Sequence, residues 1–172
     1  GQCALIGIAE KGNVSMDLGI LSQGGHASTP PPHTILGQLS QAAVDIENHP
    51  FPRQLTRPVA EMFDTLARHS TFVYKLIFAN LWCFQPVLDL ICKSSGGDMN
   101  ALVRTTTAFT QMQGSNARNV IPTEAAMVSN MRLNPADTVE SATLYLKKAV
   151  NNDRVVIKVL EGCQPSPISE ID

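Results

Sequence analysis

The sequence predicts an α+β fold: a four-stranded antiparallel sheet with two helices on one face, in the ferredoxin-like βαββαβ arrangement. Three observations support this prediction. Apolar and polar residues alternate in short segments, which is the period of a strand with one buried face. Two longer segments carry apolar residues at helical spacing behind a capping residue. With residues 56–95 set aside, the order of these segments is strand, helix, strand, strand, helix, strand.

The first strand and the first helix lie on either side of a Gly- and Pro-rich loop. Every second residue is apolar between Val14 and Ile20, which predicts a half-buried strand. The helix is predicted to begin after Thr34, whose hydroxyl can cap it, and to end near Asn48, before a segment with two prolines. Its apolar face consists of Ile35, Leu39, Ala42, Ala43 and Ile46.

Residues 56–95 are predicted to form a helical insertion, a hairpin of two helices that meet near His69. The second helix carries the aromatic residues Phe72, Tyr74, Phe78, Trp82 and Phe84. This aromatic stripe suits a core or an oligomer interface, and alternatively a lid over an acyl chain. The same stretch is long enough to cross a bilayer, but its charged residues and its central proline argue against a membrane span.

Two strands, a helix and a last strand are predicted after the insertion. Residues 93–100 are rich in Gly and Ser, which favours a loop. The helix is predicted to follow Asp137 and Glu140, which have the spacing of a capping box. Its apolar face consists of Val139, Ala142, Leu146, Ala149 and Val150. The strands are predicted over residues 101–113, 124–133 and 154–161.

The two ends of the chain, residues 1–12 and 161–172, have no strand partner in this scheme. They are predicted to be connecting segments toward another part of a larger protein. Residues 1–172 would then form a single domain of that protein.

Charge and cysteine content exclude several classes of function. The net charge is −2 and no run of Lys or Arg occurs, which disfavours binding to nucleic acid. The four cysteines are scattered without a CxxC pair, so neither a zinc knuckle nor a disulfide framework is predicted. This usage slightly favours a reducing compartment such as the cytoplasm.

No motif for metal or nucleophilic catalysis is present in the sequence. The histidines at positions 26, 33, 49 and 69 have no metal-site spacing, and no GxSxG elbow, P-loop or GxGxxG occurs. The chain itself is therefore expected to supply no metal ligands and no cofactor site.

His26 is the first of three single residues in unusual settings. It follows Gly24 and Gly25, which allow the backbone to approach a ligand closely. The alternative is a structural loop histidine that is hydrogen-bonded to Ser28 or Thr29.

Asn119 and Arg132 are the other two. Asn119 lies in "RNVIP", where it can contact a substrate or simply form a turn. Arg132 is predicted on the face of its strand opposite the apolar residues, where a guanidinium can receive a carboxylate or point into solvent. Arg104 and Arg118 can act in the same way with less support from their context.

Three motifs in this order, "GGHASTPP", "NVIPTEA" and "MRLNPADT", resemble the lid or dimerisation domain of the zinc aminoacylase/carboxypeptidase family. The opening "AEKG" and the closing "PSPIS" resemble the two hinge strands of that domain. The segments "FANLW" and "NALVRTTTAFT" are similar to the branch of carboxypeptidase S and the N-fatty-acyl-amino-acid hydrolases.

The resemblance implies a homodimeric amide hydrolase that acts on peptides or N-acyl amino acids with a free carboxylate. Two zinc ions would be bound by a catalytic domain outside this chain, so the isolated chain is expected to be inactive. His26 would stabilise the oxyanion, in its own active site or in that of the partner. Asn119 would contact the substrate, and Arg132 would bind its carboxylate. The alternative is a free-standing ligand-binding or oligomerisation module without a catalytic role.

Overall fold

A four-stranded antiparallel sheet organises the molecule, and a computed structural model describes residues 6–69, 72 and 97–170 of it. The strand order is β3–β5–β1–β6, and helices pack on the sheet, so the predicted α+β fold is confirmed. A separate two-stranded sheet pairs β2 with β4. The strands are β1 (Gly12–Leu21), β2 (Gly25–His26), β3 (Thr106–Gln113), β4 (Val120–Ile121), β5 (Glu124–Leu133) and β6 (Val156–Cys163).

The central pair, β1 and β5, runs antiparallel in one unbroken register from Gly12 opposite Leu133 to Leu21 opposite Glu124. Alternate side chains of β1 are fully buried, as the sequence period predicts. They are joined in one core by alternate residues of β5, such as Met127. This pairing defines two ends of the sheet, one at Leu21 and Glu124 and the other at Gly12 and Leu133.

Two helices cover the same face of the sheet: α1 (Ile35–Asn48) and a helix over Val139–Val150. The predicted cap of α1 is confirmed, because the Thr34 hydroxyl accepts a hydrogen bond from the Gly37 amide. The predicted end near Asn48 is confirmed as well.

The insertion begins with α2 (Arg57–Arg68), whose C-cap is His69, so the predicted end of this helix near His69 is confirmed. Of the predicted second helix only Phe72 is described, and its side chain is exposed, so the aromatic stripe lies outside the described residues. The prediction of a loop over 93–100 is wrong at its end, because a short helix, α3, covers Gly97–Val103. The strand predicted from residue 101 consequently starts only at Thr106.

The helix at Val139–Val150 is therefore α4, and its cap differs from the prediction by one residue. Thr138 and Ser141 form the capping box, and each side chain accepts from the backbone amide of the other. Asp137 instead accepts hydrogen bonds from the side chains of Thr105 and Gln54, so a tertiary contact has displaced the predicted cap.

The two ends of the chain run side by side beyond β1 and β6. The backbone amide of Ser166 donates to the carbonyl of Glu10 over 3.0 Å, and that of Ser169 donates to the carbonyl of Ile8 over 2.8 Å. The segments predicted to be hinges thus pair with each other over residues 8–10 and 166–169.

Candidate functional site

The small sheet of β2 and β4 brings His26 and Asn119 together. His26 lies opposite Val120, and the amide of Ala27 donates to the carbonyl of Asn119 over 2.9 Å. The loop predicted for Asn119 is confirmed, whereas His26 lies in a two-residue strand for which the sequence has no periodic pattern. The two motifs that carry them therefore form one surface.

The turn before His26 is fixed to the segment after β4. The hydroxyl of Ser22 donates to the carbonyl of Pro122 over 2.7 Å, and its amide donates to the carbonyl of Thr123 over 2.8 Å. Gly24 has a φ of +69°, and a Cβ at this position would lie 2.9 Å from Cγ2 of Thr123. The glycine thus allows close approach to β4, whereas the sequence suggested close approach to a ligand.

The exposed His26 ring is oriented through Nδ1 alone. The Ser28 amide donates to Nδ1 over 3.2 Å, and the Ser28 hydroxyl lies 2.8 Å from the same atom. Since a backbone amide can only donate, Nδ1 is the acceptor and the proton of the neutral ring is assigned to Nε2. No described residue accepts from Nε2, so this N–H is available to a ligand.

Asn119 is an exposed turn residue whose carbonyl supports the loop that carries His26. Its side-chain amide has no hydrogen-bond partner among the described residues. The side chain can therefore act on the same ligand as the His26 ring. Arg118, the neighbouring residue, is also exposed.

Arg132 lies at the opposite end of the sheet. It is exposed on β5, where its backbone neighbours are Asn13 on β1 and Thr106 on β3. Within the described part of the chain no carboxylate forms an ion pair with it. Its guanidinium is therefore available for an anionic group.

The sheet separates Arg132 from the other two predicted residues. His26 and Asn119 lie beyond the edge formed by Leu21 and Glu124, whereas Arg132 is near the far end of β5. At about 3.3 Å per residue, the length of β5 between Glu124 and Arg132 is about 26 Å. The predicted site residues therefore lie at two separate places on the domain.

A cluster of polar side chains that sequence analysis missed lies beyond the Arg132 end. The ammonium group of Lys11 donates to the carbonyls of Ala101 (2.5 Å) and Arg104 (2.9 Å) at the end of α3. Burial lowers the pKa of Lys11; the charge of Asp137 opposes this shift and that of Arg132 adds to it. A lone lysine in a polar stretch carries no sequence signal for such a position.

The described residues contain no group of three or more His, Cys, Asp or Glu side chains that could hold a metal ion. They also contain no helix with the length and hydropathy needed to cross a bilayer.

Comparison with known proteins shows the relationships of the chain. Residues 8–156 match the family model of a peptidase dimerisation domain. An N-fatty-acyl-amino acid synthase/hydrolase of Xenopus tropicalis is 38% identical over 98% of this chain and 33% of its own length. A probable carboxypeptidase S-like protein of Dictyostelium discoideum is 36% identical over 96% of this chain and 32% of its own length.

Solved structures share the fold at low sequence identity. Human carnosine dipeptidase 1 aligns with a TM-score of 0.56 and 14% identity, over 97% of this chain and 41% of its own. The chain spans about a third of the length of the curated relatives it matches.

Proposed function

The chain belongs to the peptidase dimerisation domain family, and on that premise we propose that it is the lid and dimerisation domain of a homodimeric amide hydrolase. The proposed substrates are peptides or N-acyl amino acids with a free carboxylate. The names of the related proteins, a carboxypeptidase and an N-fatty-acyl-amino acid hydrolase, support this substrate class.

The separation of the two half-sites is the observation that carries the proposal of a shared active site. In such a substrate the scissile carbonyl and the free carboxylate belong to neighbouring residues, roughly 4 Å apart. In one protomer, His26 lies beyond the Glu124 end of β5, and the strand from Glu124 to Arg132 spans about 26 Å, so the two residues cannot both contact one substrate. Each active site would therefore take His26 from one protomer and Arg132 from the other.

His26 is suited to stabilise the oxyanion of a tetrahedral intermediate. The role requires a fixed donor and no local base, and the Nε2–H of His26 is such a donor. Asn119, held beside it by the small sheet, would provide a second polar contact to the same substrate.

Arg132 would bind the free carboxylate of the substrate. A guanidinium without a carboxylate partner can form the two parallel hydrogen bonds that define an end-group pocket. That contact would select substrates with a free terminus.

The zinc ions implied by the family would be bound outside this chain. The described residues do not fit such a site, because they provide no cluster of metal ligands. When bound in a hydrolase, zinc supplies Lewis-acid chemistry and an activated water. This domain would contribute donors and positive charge to the substrate, and the isolated chain is expected to be inactive.

Complementation between inactive dimers tests the shared site. We would prepare the full-length protein that carries this domain as His26→Ala and Arg132→Ala variants, mix them, and allow the subunits to exchange. In a mixed dimer one site loses both residues and the other keeps both. The mixture is therefore expected to regain up to about a quarter of the wild-type turnover of an N-acyl amino acid.

The two unmixed variants serve as controls, because each carries one lesion in every site. No recovery after verified subunit exchange would contradict the shared site. Full activity of both unmixed variants would instead favour a module without a catalytic role.

A further inference from the structure

A cavity of about 610 Å³ opens beside the two paired ends of the chain, away from the His26 half-site. One wall is formed by residues 6–11 together with Ile168. The other wall is formed by α2 and α3. The volume falls in the range of roughly 300–1,000 Å³ that is typical of sites for small ligands.

The wall is largely aliphatic. The side chains of Val59 and Met62 line it from α2 and pack behind the lining against the buried Phe63 and Val103. Leu102 and Ile168 line it with 40% and 44% of their surfaces exposed. No aromatic side chain is among the described lining residues, so the cavity offers no stacking surface for a ring.

The polar end of the cavity is cationic. Lys11 lines it and donates to the carbonyl of Ala101 in α3 and to that of Arg104, the residue after α3. Arg132 lies near this end of the cavity, because it pairs across the sheet with Asn13, two residues after Lys11. The negative charge of Asp137, which raises the pKa of Lys11, offsets part of this positive charge. The carboxylate of Glu61, which also lines the cavity, forms an exposed ion pair with Arg57 at 2.7 Å. A ligand with an anionic head and a flexible apolar tail matches this distribution.

We propose that this cavity binds the acyl chain of a long-chain N-acyl amino acid whose carboxylate lies at Arg132. The inference rests on the proposed function and adds the subsite that distinguishes long acyl groups from short ones. Each methylene buried in an aliphatic wall favours binding, so selectivity for chain length is expected to arise here.

Acyl-chain selectivity of the full-length protein tests this subsite. The readout is the ratio of kcat/KM for N-oleoylphenylalanine to kcat/KM for N-acetylphenylalanine. The variants Leu102→Glu and Ile168→Glu place a charge in the aliphatic wall at partly exposed positions, which limits damage to the fold. Each is expected to lower the ratio about tenfold or more. The matched control is Val44→Glu on α1, which is 46% exposed and outside the cavity.

Binding of N-oleoylphenylalanine, measured by calorimetry on the same proteins, distinguishes failure of the proposed function from failure of the acyl-chain subsite. If the wild type binds it, both cavity variants weaken that binding, and no substrate is hydrolysed, the proposed function fails and the subsite stands. If neither variant changes the selectivity ratio or this binding relative to Val44→Glu, the subsite is overturned. Thermal destabilisation by the cavity variants with unchanged selectivity would also overturn it, because the cavity would then be a packing feature.

Discussion

At the scale of single residues, the free Nε2–H of His26 defines the expected phenotype of its removal. His26→Ala in the full-length protein is expected to lower kcat about 100- to 1,000-fold, or about 2.7–4 kcal/mol of transition-state stabilisation. Steady-state kinetics on an N-acyl amino acid measure this. His49→Ala, a change at another exposed histidine, is the control and should leave kcat nearly unchanged. Normal turnover of His26→Ala would make the Ser28 contact a purely structural one.

The titration of Lys11 makes the stability of the folded protein depend on pH. Its pKa is lowered in the folded state, mainly by burial, so the unfolded state binds more protons between the folded pKa and about 10.4. Stability of the wild type relative to Lys11→Met should therefore rise as the pH increases from 7 toward 10. Urea unfolding of both proteins at the two pH values measures this difference.

The exposed Lys148 on α4 provides the comparison for that titration. Lys148→Met removes the same charge at an exposed position and is measured at the same two pH values as the control. A difference for Lys11→Met that stays constant or falls with pH would show that burial does not control this amine.

Single candidate residues are easier to select from the sequence than their arrangement in space is to predict. Sequence motifs selected His26, Asn119 and Arg132 because each has an unusual local setting. That Asn119 supports the His26 loop depends on a pairing of two-residue strands distant in the chain, for which no local pattern exists. Lys11 was missed because desolvation is a property of the folded molecule.

At the scale of elements, the capping box of α4 is an isolated contribution to stability. The Thr138 side chain accepts a hydrogen bond from the Ser141 amide, and its truncation removes no core contact. Thr138→Ala should therefore lower the free energy of unfolding by about 1 kcal/mol. Chemical denaturation measures it. Thr29→Ala, at an exposed loop hydroxyl, should change stability by a few tenths of a kcal/mol at most. Equal stability of wild type and Thr138→Ala would assign the helix start to packing alone.

Errors in the predicted elements occur where tertiary contacts override local preference. Gly and Ser around residue 95 favour a loop, yet α3 forms nearby and its last carbonyls are satisfied by Lys11. Asp137 has the composition of a cap residue but is bound by Thr105 and Gln54. In β1 and β5, by contrast, every second side chain faces the core, so the alternation of apolar residues in the sequence predicts both strands.

At the scale of the whole molecule, the antiparallel pairing of β1 and β5 places the two proposed half-sites at opposite ends of one sheet. A twofold axis perpendicular to the strands would place the His26 end of one protomer toward the Arg132 end of the other, which would give two equivalent composite sites. The element order predicts the sheet, but the sequence alone left open whether His26 acts in its own protomer. The length of β5 between Glu124 and Arg132 supports the proposal that His26 acts in the active site of the partner.

A shared site makes activity depend on the concentration of the protein. If each site needs two protomers, dilution of the full-length enzyme below the dissociation constant of its dimer should lower turnover per protomer in proportion to the loss of dimer. Turnover and sedimentation are measured over the same dilution series. A covalently cross-linked dimer is the control and should keep its turnover throughout. Constant turnover in samples shown to be monomeric would contradict the shared site, because a lone protomer cannot bring His26 and Arg132 to one substrate.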